Sequence, residues 1–288
     1  MDILRQWSIL NNMRVEYNNQ TRLLAVIGDP IAHSLSPVLH NTMAKVLGLN
    51  YLYLACRVCP KDLPRWLDAA RTMELAGFNA TMPHKLELIP LMDKLTPAAM
   101  RHGAVNTVRL ENGQFIGHNT DGDGFASSLQ DFGMGFHGAH VVVLGAGGAA
   151  CAIVRKAADD GAASVQVMNR TLENAAAICA EDPSRLHPAT LDAPVPPDTD
   201  LLINTLPAGA VWPGHVIEAL PADCMVCDIL YSPRHTPIMQ AAEIRGLRTA
   251  NGLGMLIYQA IYAFSFFTGV KVEAREMAKR LLSAVETI

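Results

Sequence analysis

From Arg22 onward, short apolar runs alternate with stretches whose apolar residues recur at helical spacing, the pattern of an α/β fold with largely parallel sheets. RLLAVIG, YLYLACRV and LAGFNAT read as strands, and Pro37 to Leu47 and Lys61 to Met73 as helices. A second series opens near Ala139. It runs strand AHVVVLG, helix from about Gly148, strand ASVQVMN, helix from about Thr171, strand DLLIN and strand MVCDIL. That is a nucleotide-binding βαβ series placed in mid-chain. The stretch from Pro188 to Asp200, rich in Pro, Asp and Thr, reads as a surface loop inside it. Thr249 to Val270 carries no charge and is long enough to span a bilayer. Its Asn251, Gln259, Ser265 and glycines make a buried helix carrying site residues the better reading.

Composition narrows the function classes. A chain of 288 residues, half of them apolar, has room for two domains. The net charge is −4, with no basic run, so neither nucleic acid nor an anionic membrane is the expected partner, and small-molecule chemistry is the default. Met1 to Gln20 lacks the basic and apolar regions of a secretory signal, which points to a cytoplasmic protein. Of the six cysteines, four form the pairs Cys56/Cys59 and Cys224/Cys227. Both pairs lie in apolar strand-like runs, where residues three apart face opposite sides, so free structural thiols are expected and no metal.

The segment VVVLGAGGAA gives Gly145, Ala146, Gly147, Gly148 and Ala149-Ala150 in a GxGxxA arrangement, after a β-branched strand and at the opening of a helix. Gly145 allows the tight turn, Gly147 lets backbone approach a pyrophosphate, and the helix N-terminus supplies unpaired N–H groups. At the end of the next strand an NAD enzyme places an acidic residue; this chain has Asn169-Arg170-Thr171 instead. Arg170 can meet a 2′-phosphate with charge-assisted bonds, so NADP is favoured over NAD. The alternative is an ordinary solvated arginine.

Before this series lie four polar, turn-rich clusters: GDPIAHSLSP, GFNATMPHK, AVNTV and GHNTDGDG. They supply Ser34, Ser36, Asn79, Thr81, Lys85, Asn106 and Asp121, an inventory suited to a small, anionic, polyhydroxylated ligand. Any one cluster alone is explained by turn chemistry.

From about Thr21 to the C-terminal helices, these motifs together resemble the shikimate dehydrogenase family. The resemblance implies that Ser34 and Ser36 hold the substrate carboxylate with Tyr231 of YSPRHTP nearby, and that Asn79, Thr81, Asn106, Asp121 and Gln259 hold ring hydroxyls. Lys85 and Asp121 would be the catalytic pair that moves the proton, acting as a coupled unit. Asn204 and, in GLGMLIYQA, Gly252 and Met255 would face the cofactor. The implied fold is an N-terminal α/β substrate domain (1–120 and 251–288) interrupted by a Rossmann-type NADP-binding domain (121–250), with the C-terminal helices returning to the first. The implied reaction is NADP-dependent reduction of 3-dehydroshikimate to shikimate in aromatic amino-acid and chorismate biosynthesis. Quinate/shikimate dehydrogenase with relaxed substrate or cofactor choice is the neighbouring alternative, and a non-catalytic sensor of shikimate-like ligands the alternative from another class. The partner implied is the small-molecule substrate, with a homodimer as the assembly left open. His33, His40 and His84 read as structural or loop histidines. Two departures stand out: Glu173-Asn174 replaces a second cation after Arg170, and the loop after Asn204, TLPAGA, lacks the usual Met.

Overall fold

The computed structural model describes residues 17–286. The reading of Met1 to Gln20 therefore falls almost wholly outside the described residues. By backbone contacts the chain divides into two units. The first runs to Met100 and includes Ala104–Thr120 and Ile257 onward; the second comprises Arg101–Gly103 and Asp121–Leu256.

In the first unit β1 (Arg22–Gly28), α1 (Ser36–Val46), β2 (Tyr51–Arg57), α2 (Leu63–Thr72) and β3 (Gly77–Ala80) follow one another. β4 (Lys94–Leu95), α3 (Pro97–His102), β5 (Thr107–Glu111) and β6 (Gln114–His118) come next. The sheet order is β2-β1-β3-β5-β6-β4. The first three strands are parallel, and β5 runs antiparallel to both β3 and β6. The β5–β6 hairpin turns on Asn112-Gly113, both at positive φ (51° and 76°), the Asn-Gly pair such a two-residue turn selects. One face of the sheet packs Phe78, Phe115, Leu67, Leu88 and Val108 into a core.

The second unit contains α4 (Asp121–Gln130), β7 (His140–Leu144), α5 (Gly148–Asp159), β8 (Ser164–Asn169), α6 (Leu172–Cys179) and β9 (Leu186–Thr190). It continues with β10 (Leu201–Asn204), α7 (His215–Glu218), β11 (Met225–Asp228), α8 (Pro237–Ile244) and β12 (Arg248–Ala250). All six strands are parallel in the order β12-β11-β10-β7-β8-β9, with a hydrophobic cluster on each face. Burial on both sides is why HVVVL and LLIN read as continuous apolar runs. The order reverses between β7 and β10, which is where open α/β sheets bind ligands.

The loop expected at Pro188 to Asp200 is corrected at its start, because Pro188, Ala189 and Thr190 belong to β9. β9 is an edge strand, and an edge tolerates a proline that a central strand would reject. The uncharged C-terminal stretch forms α9 (Leu253–Thr268), followed by α10 (Ala274–Glu286), which packs on α1. Among the described residues no helix is long and apolar enough to cross a membrane.

Candidate active site

In the first unit the polar clusters sit where strands β1 and β3 end and β5 begins. Ser36 is buried at the start of α1, ahead of Pro37, and its backbone N–H donates to Ser34 Oγ at 3.3 Å. Thr81 follows β3; its N–H donates to the Ile27 carbonyl at 2.9 Å, and its methyl lies where a Cβ on Gly28 would stand. Lys85 is half-buried, and its carbonyl accepts from Val105 N–H at 2.8 Å, which ties its loop to the strand leading to Asn106. The adjacent His84 is fully buried, with Nε2 at 2.8 Å from the Val58 carbonyl; it donates there and braces the same loop.

Asn79, Asn106 and Gln259, far apart in sequence, meet in one polar network. Asn79 Nδ2 donates to the Asn106 carbonyl at 3.1 Å and to Thr107 Oγ1 at 3.0 Å, and its Oδ1 accepts from Tyr53 Oη at 2.7 Å. Both amide hydrogens of Asn79 are thus committed inside the protein. Asn106 Oδ1 accepts from Thr120 N–H at 2.9 Å and from Thr107 Oγ1 at 2.8 Å, while its Nδ2 faces Thr120 Oγ1 at 3.0 Å and Gln259 Oε1 at 3.5 Å. Tyr53, Thr107 and Thr120 are buried members of the network that reading the sequence for site residues misses. Thr107 and Thr120 lay within the AVNTV and GHNTDGDG clusters as unremarked neighbours, and Tyr53 was hidden in an apolar strand. A phenol on a buried strand was the available signal, since buried hydroxyls require partners.

In the second unit Asp121 is buried in the first turn of α4. Gly145 follows β7 with φ +104°, a conformation that favours glycine, and a Cβ there would meet Thr205 Oγ1 at 2.5 Å. Ala146 and Gly147 lead into α5. Gly147 is its N-cap without any side-chain cap, the first turn from Gly148 and Ala149 carries no acidic residue, and a Cβ on Gly147 would enter open space. Unclaimed N–H groups, a positive helix end and clearance above Gly147 fit a pyrophosphate.

Next to this turn β8 ends at Asn169, whose Nδ2 donates to the Thr171 carbonyl at 2.8 Å and shapes the loop. Arg170 and Thr171 are exposed, and no hydrogen bond or ion pair among the described residues engages the Arg170 guanidinium. That guanidinium is available to a phosphate. Asn204 is buried and bonded internally: Nδ2 donates one hydrogen to Asp228 at 3.1 Å and Oδ1 accepts from Leu206 N–H at 3.2 Å.

Gly252 is required by packing, because a Cβ would fall 1.8 Å from the Ile229 carbonyl oxygen. Met255 is buried in the unit's hydrophobic cluster, and Tyr231 is half-buried in the loop after β11. The cysteines are free thiols, and burial pushes both Cys224 and Cys227 up to about 12, so they stay protonated near neutrality.

A parallel six-stranded sheet with a glycine turn at its switch point and a free arginine after the second strand defines the class: a Rossmann-type, NADP-dependent dehydrogenase. The description "Shikimate dehydrogenase substrate binding domain" matches residues 26–108, "Shikimate / quinate 5-dehydrogenase" residues 127–193, and "Shikimate 5'-dehydrogenase C-terminal domain" residues 252–282. A shikimate dehydrogenase (NADP(+)) of Geobacter metallireducens is 38% identical over 94% of this chain and 100% of its own length. The solved shikimate 5-dehydrogenase of Thermus thermophilus, in complex with NADP(H) and shikimate, is 33% identical with a TM-score of 0.79, covering 92% of this chain and 100% of that one. A ligand-free 5-ketofructose reductase of a Gluconobacter strain is 31% identical with a TM-score of 0.80, covering 92% of this chain and 99% of that one. The chain belongs to the shikimate dehydrogenase family.

Proposed function

We propose that this protein catalyses the NADP-dependent interconversion of 3-dehydroshikimate and shikimate. The observation that carries the reading is the end-to-end likeness to NADP-dependent shikimate dehydrogenases, over nearly all of this chain and the whole of the Geobacter relative. The open, uncapped N-terminus of α5 and the unengaged Arg170 support NADP as the dinucleotide. The two units would divide the work, the first holding the substrate and the second the dinucleotide.

When bound, the nicotinamide supplies the hydride that adds to the ring carbonyl carbon. As the carbonyl π electrons collapse onto oxygen, the developing alkoxide requires one proton, which Lys85 as an ammonium donates. Asp121 is assigned as the orienting carboxylate of the same acid–base step. Ser34 and Ser36 offer their hydroxyls to the carboxylate, Tyr231 is assigned to the same group, and Thr81, Asn106 and Gln259 bind ring hydroxyls. Asn79 offers them one remaining Oδ1 lone pair. Asn169, Arg170 and Thr171 receive the adenosine 2′-phosphate, and Gly145 to Ala149 receive the pyrophosphate.

Steady-state rates with shikimate and quinate, each with NADP+ and NAD+, test the assignment, and 5-ketofructose with NADPH tests the activity of the Gluconobacter relative. Fastest turnover on shikimate with NADP+ is expected; preference for another pair replaces the reading. Lys85→Ala should lower kcat by about 10²- to 10⁴-fold while the shikimate dissociation constant changes far less. Wild-type kcat in Lys85→Ala would remove lysine from the proton transfer. Binding of shikimate by the wild-type protein without turnover would make it a sensor.

A further inference from the structure

The network around Asn106 has a direction that can be read without locating any hydrogen. A backbone N–H only donates, so the Asn106 atom 2.9 Å from Thr120 N is the amide oxygen. Thr107 Oγ1 lies 2.8 Å from that same oxygen, so Thr107 spends its single hydroxyl hydrogen there. Toward Asn79, 3.0 Å away, Thr107 can then only accept, which places the Asn79 amide nitrogen on the Thr107 side. The second hydrogen of that nitrogen goes to the Asn106 carbonyl at 3.1 Å. Asn79 Oδ1 therefore faces Tyr53, and Tyr53 donates to it at 2.7 Å.

Direction thus passes from Thr120 through Asn106, Thr107 and Asn79 to Tyr53. We propose that Thr107 is the positioning residue of the substrate site, acting as the pivot that locks the Asn79 and Asn106 side-chain amides in one orientation each. Thr107 is completely buried, so it touches no ligand and acts only through its neighbours. Flipping Asn106 would bring its NH2 group against the Thr120 N–H and the Thr107 hydroxyl hydrogen together. The locked state keeps the Asn106 amide nitrogen a donor, directed to Thr120 Oγ1 at 3.0 Å and Gln259 Oε1 at 3.5 Å, and a ligand hydroxyl would take the place of the longer contact. The bond directions stand on geometry alone; the identity of the ligand rests on the shikimate reading above.

The test compares Thr107→Val, which keeps shape and removes the hydroxyl, with Thr107→Ser, which keeps the hydroxyl. In ligand-free protein with ¹⁵N-labelled asparagine, Thr107→Val should speed side-chain amide hydrogen exchange at Asn79 and Asn106 about tenfold or more. Its KM for shikimate should rise about tenfold, the size of one net hydrogen bond, with kcat within about twofold. Thr107→Ser should restore both, and the NADP+ dissociation constant should not move. In an Asn106→Ala background the Thr107→Val effect on KM should shrink below about twofold. Wild-type KM in Thr107→Val, a raised KM without faster exchange, or the same KM rise in the Asn106→Ala background would each overturn the proposal. If the wild-type enzyme does not turn over shikimate, the functional reading fails while amide exchange still decides the role of Thr107. If Thr107→Val does not fold, Tyr53→Phe breaks the chain at its other end and should speed exchange at Asn79 more than at Asn106; equal rates would overturn the pivot.

Discussion

Arg170 shows what a single side chain can reveal before any fold is known. An arginine at the end of the second strand, where an acid would repel a 2′-phosphate, already argued for NADP, and its guanidinium is exposed and unengaged among the described residues. Arg170→Ala should weaken NADP+ binding by roughly 1.5 to 3 kcal/mol, one to two decades in affinity, and leave NAD+ binding unchanged. Equal losses for both dinucleotides in a titration would show that the arginine reads something other than the phosphate. His40 shows the opposite. Nothing in its neighbourhood of the sequence announced that its ring would stack on Tyr53 at 4.0 Å, near Phe264 and Phe267, with neither nitrogen hydrogen-bonded among the described residues. Burial pulls its pKa from 6.5 down to about 3. Between those values the unfolded chain binds a proton that the folded protein refuses, so stability falls as pH drops through that window, by up to about 1.4 kcal/mol per pH unit. Urea unfolding should show wild type losing about 2 kcal/mol more than His40→Phe between pH 7 and pH 5. Parallel losses would mean that the ring is charged or solvated in the folded state.

At the scale of elements, the glycine turn separates two requirements that one motif combines. Gly145 is needed by the fold, since it sits at φ +104° against Thr205. Gly147 has φ −88° and open space above it, so the fold accepts an alanine there. Gly147→Ala should keep the wild-type melting temperature and weaken NADP+ binding, whereas Gly145→Ala should lower the melting temperature by several degrees. A pair of variants that lose stability equally would place both glycines in the turn's own geometry. The strand-turn-helix that displays them was legible because alternation of apolar runs and helical spacing is a local property. Pro188 was not legible in the same way: its composition says loop, and only its place on a sheet edge lets it be strand.

At the scale of the whole molecule, the division into two units, each with its own sheet and core, predicts where a dinucleotide acts. NADP+ at about 100 times its dissociation constant should add roughly 2.7 kcal/mol of stability. Hydrogen exchange should locate that gain chiefly in β7, β8 and β10, with β1 and β3 much less affected. Stronger protection of β1 and β3 would move the dinucleotide to the first unit.

What the sequence determined by itself was local: the parallel-strand runs, the glycine turn, the arginine after the second strand and the polar clusters at strand ends. Each depends on neighbours within a few residues, whose periodicity and backbone demands are written in order along the chain. Tertiary structure alone decided that Gln259 meets Asn106 across 153 positions, that Asn204 bonds to Asp228, and that Tyr53 and Thr107 direct the amides of the site. The physical reason is that a buried polar atom must find a partner in space, and the chain order does not say which strand will bring it.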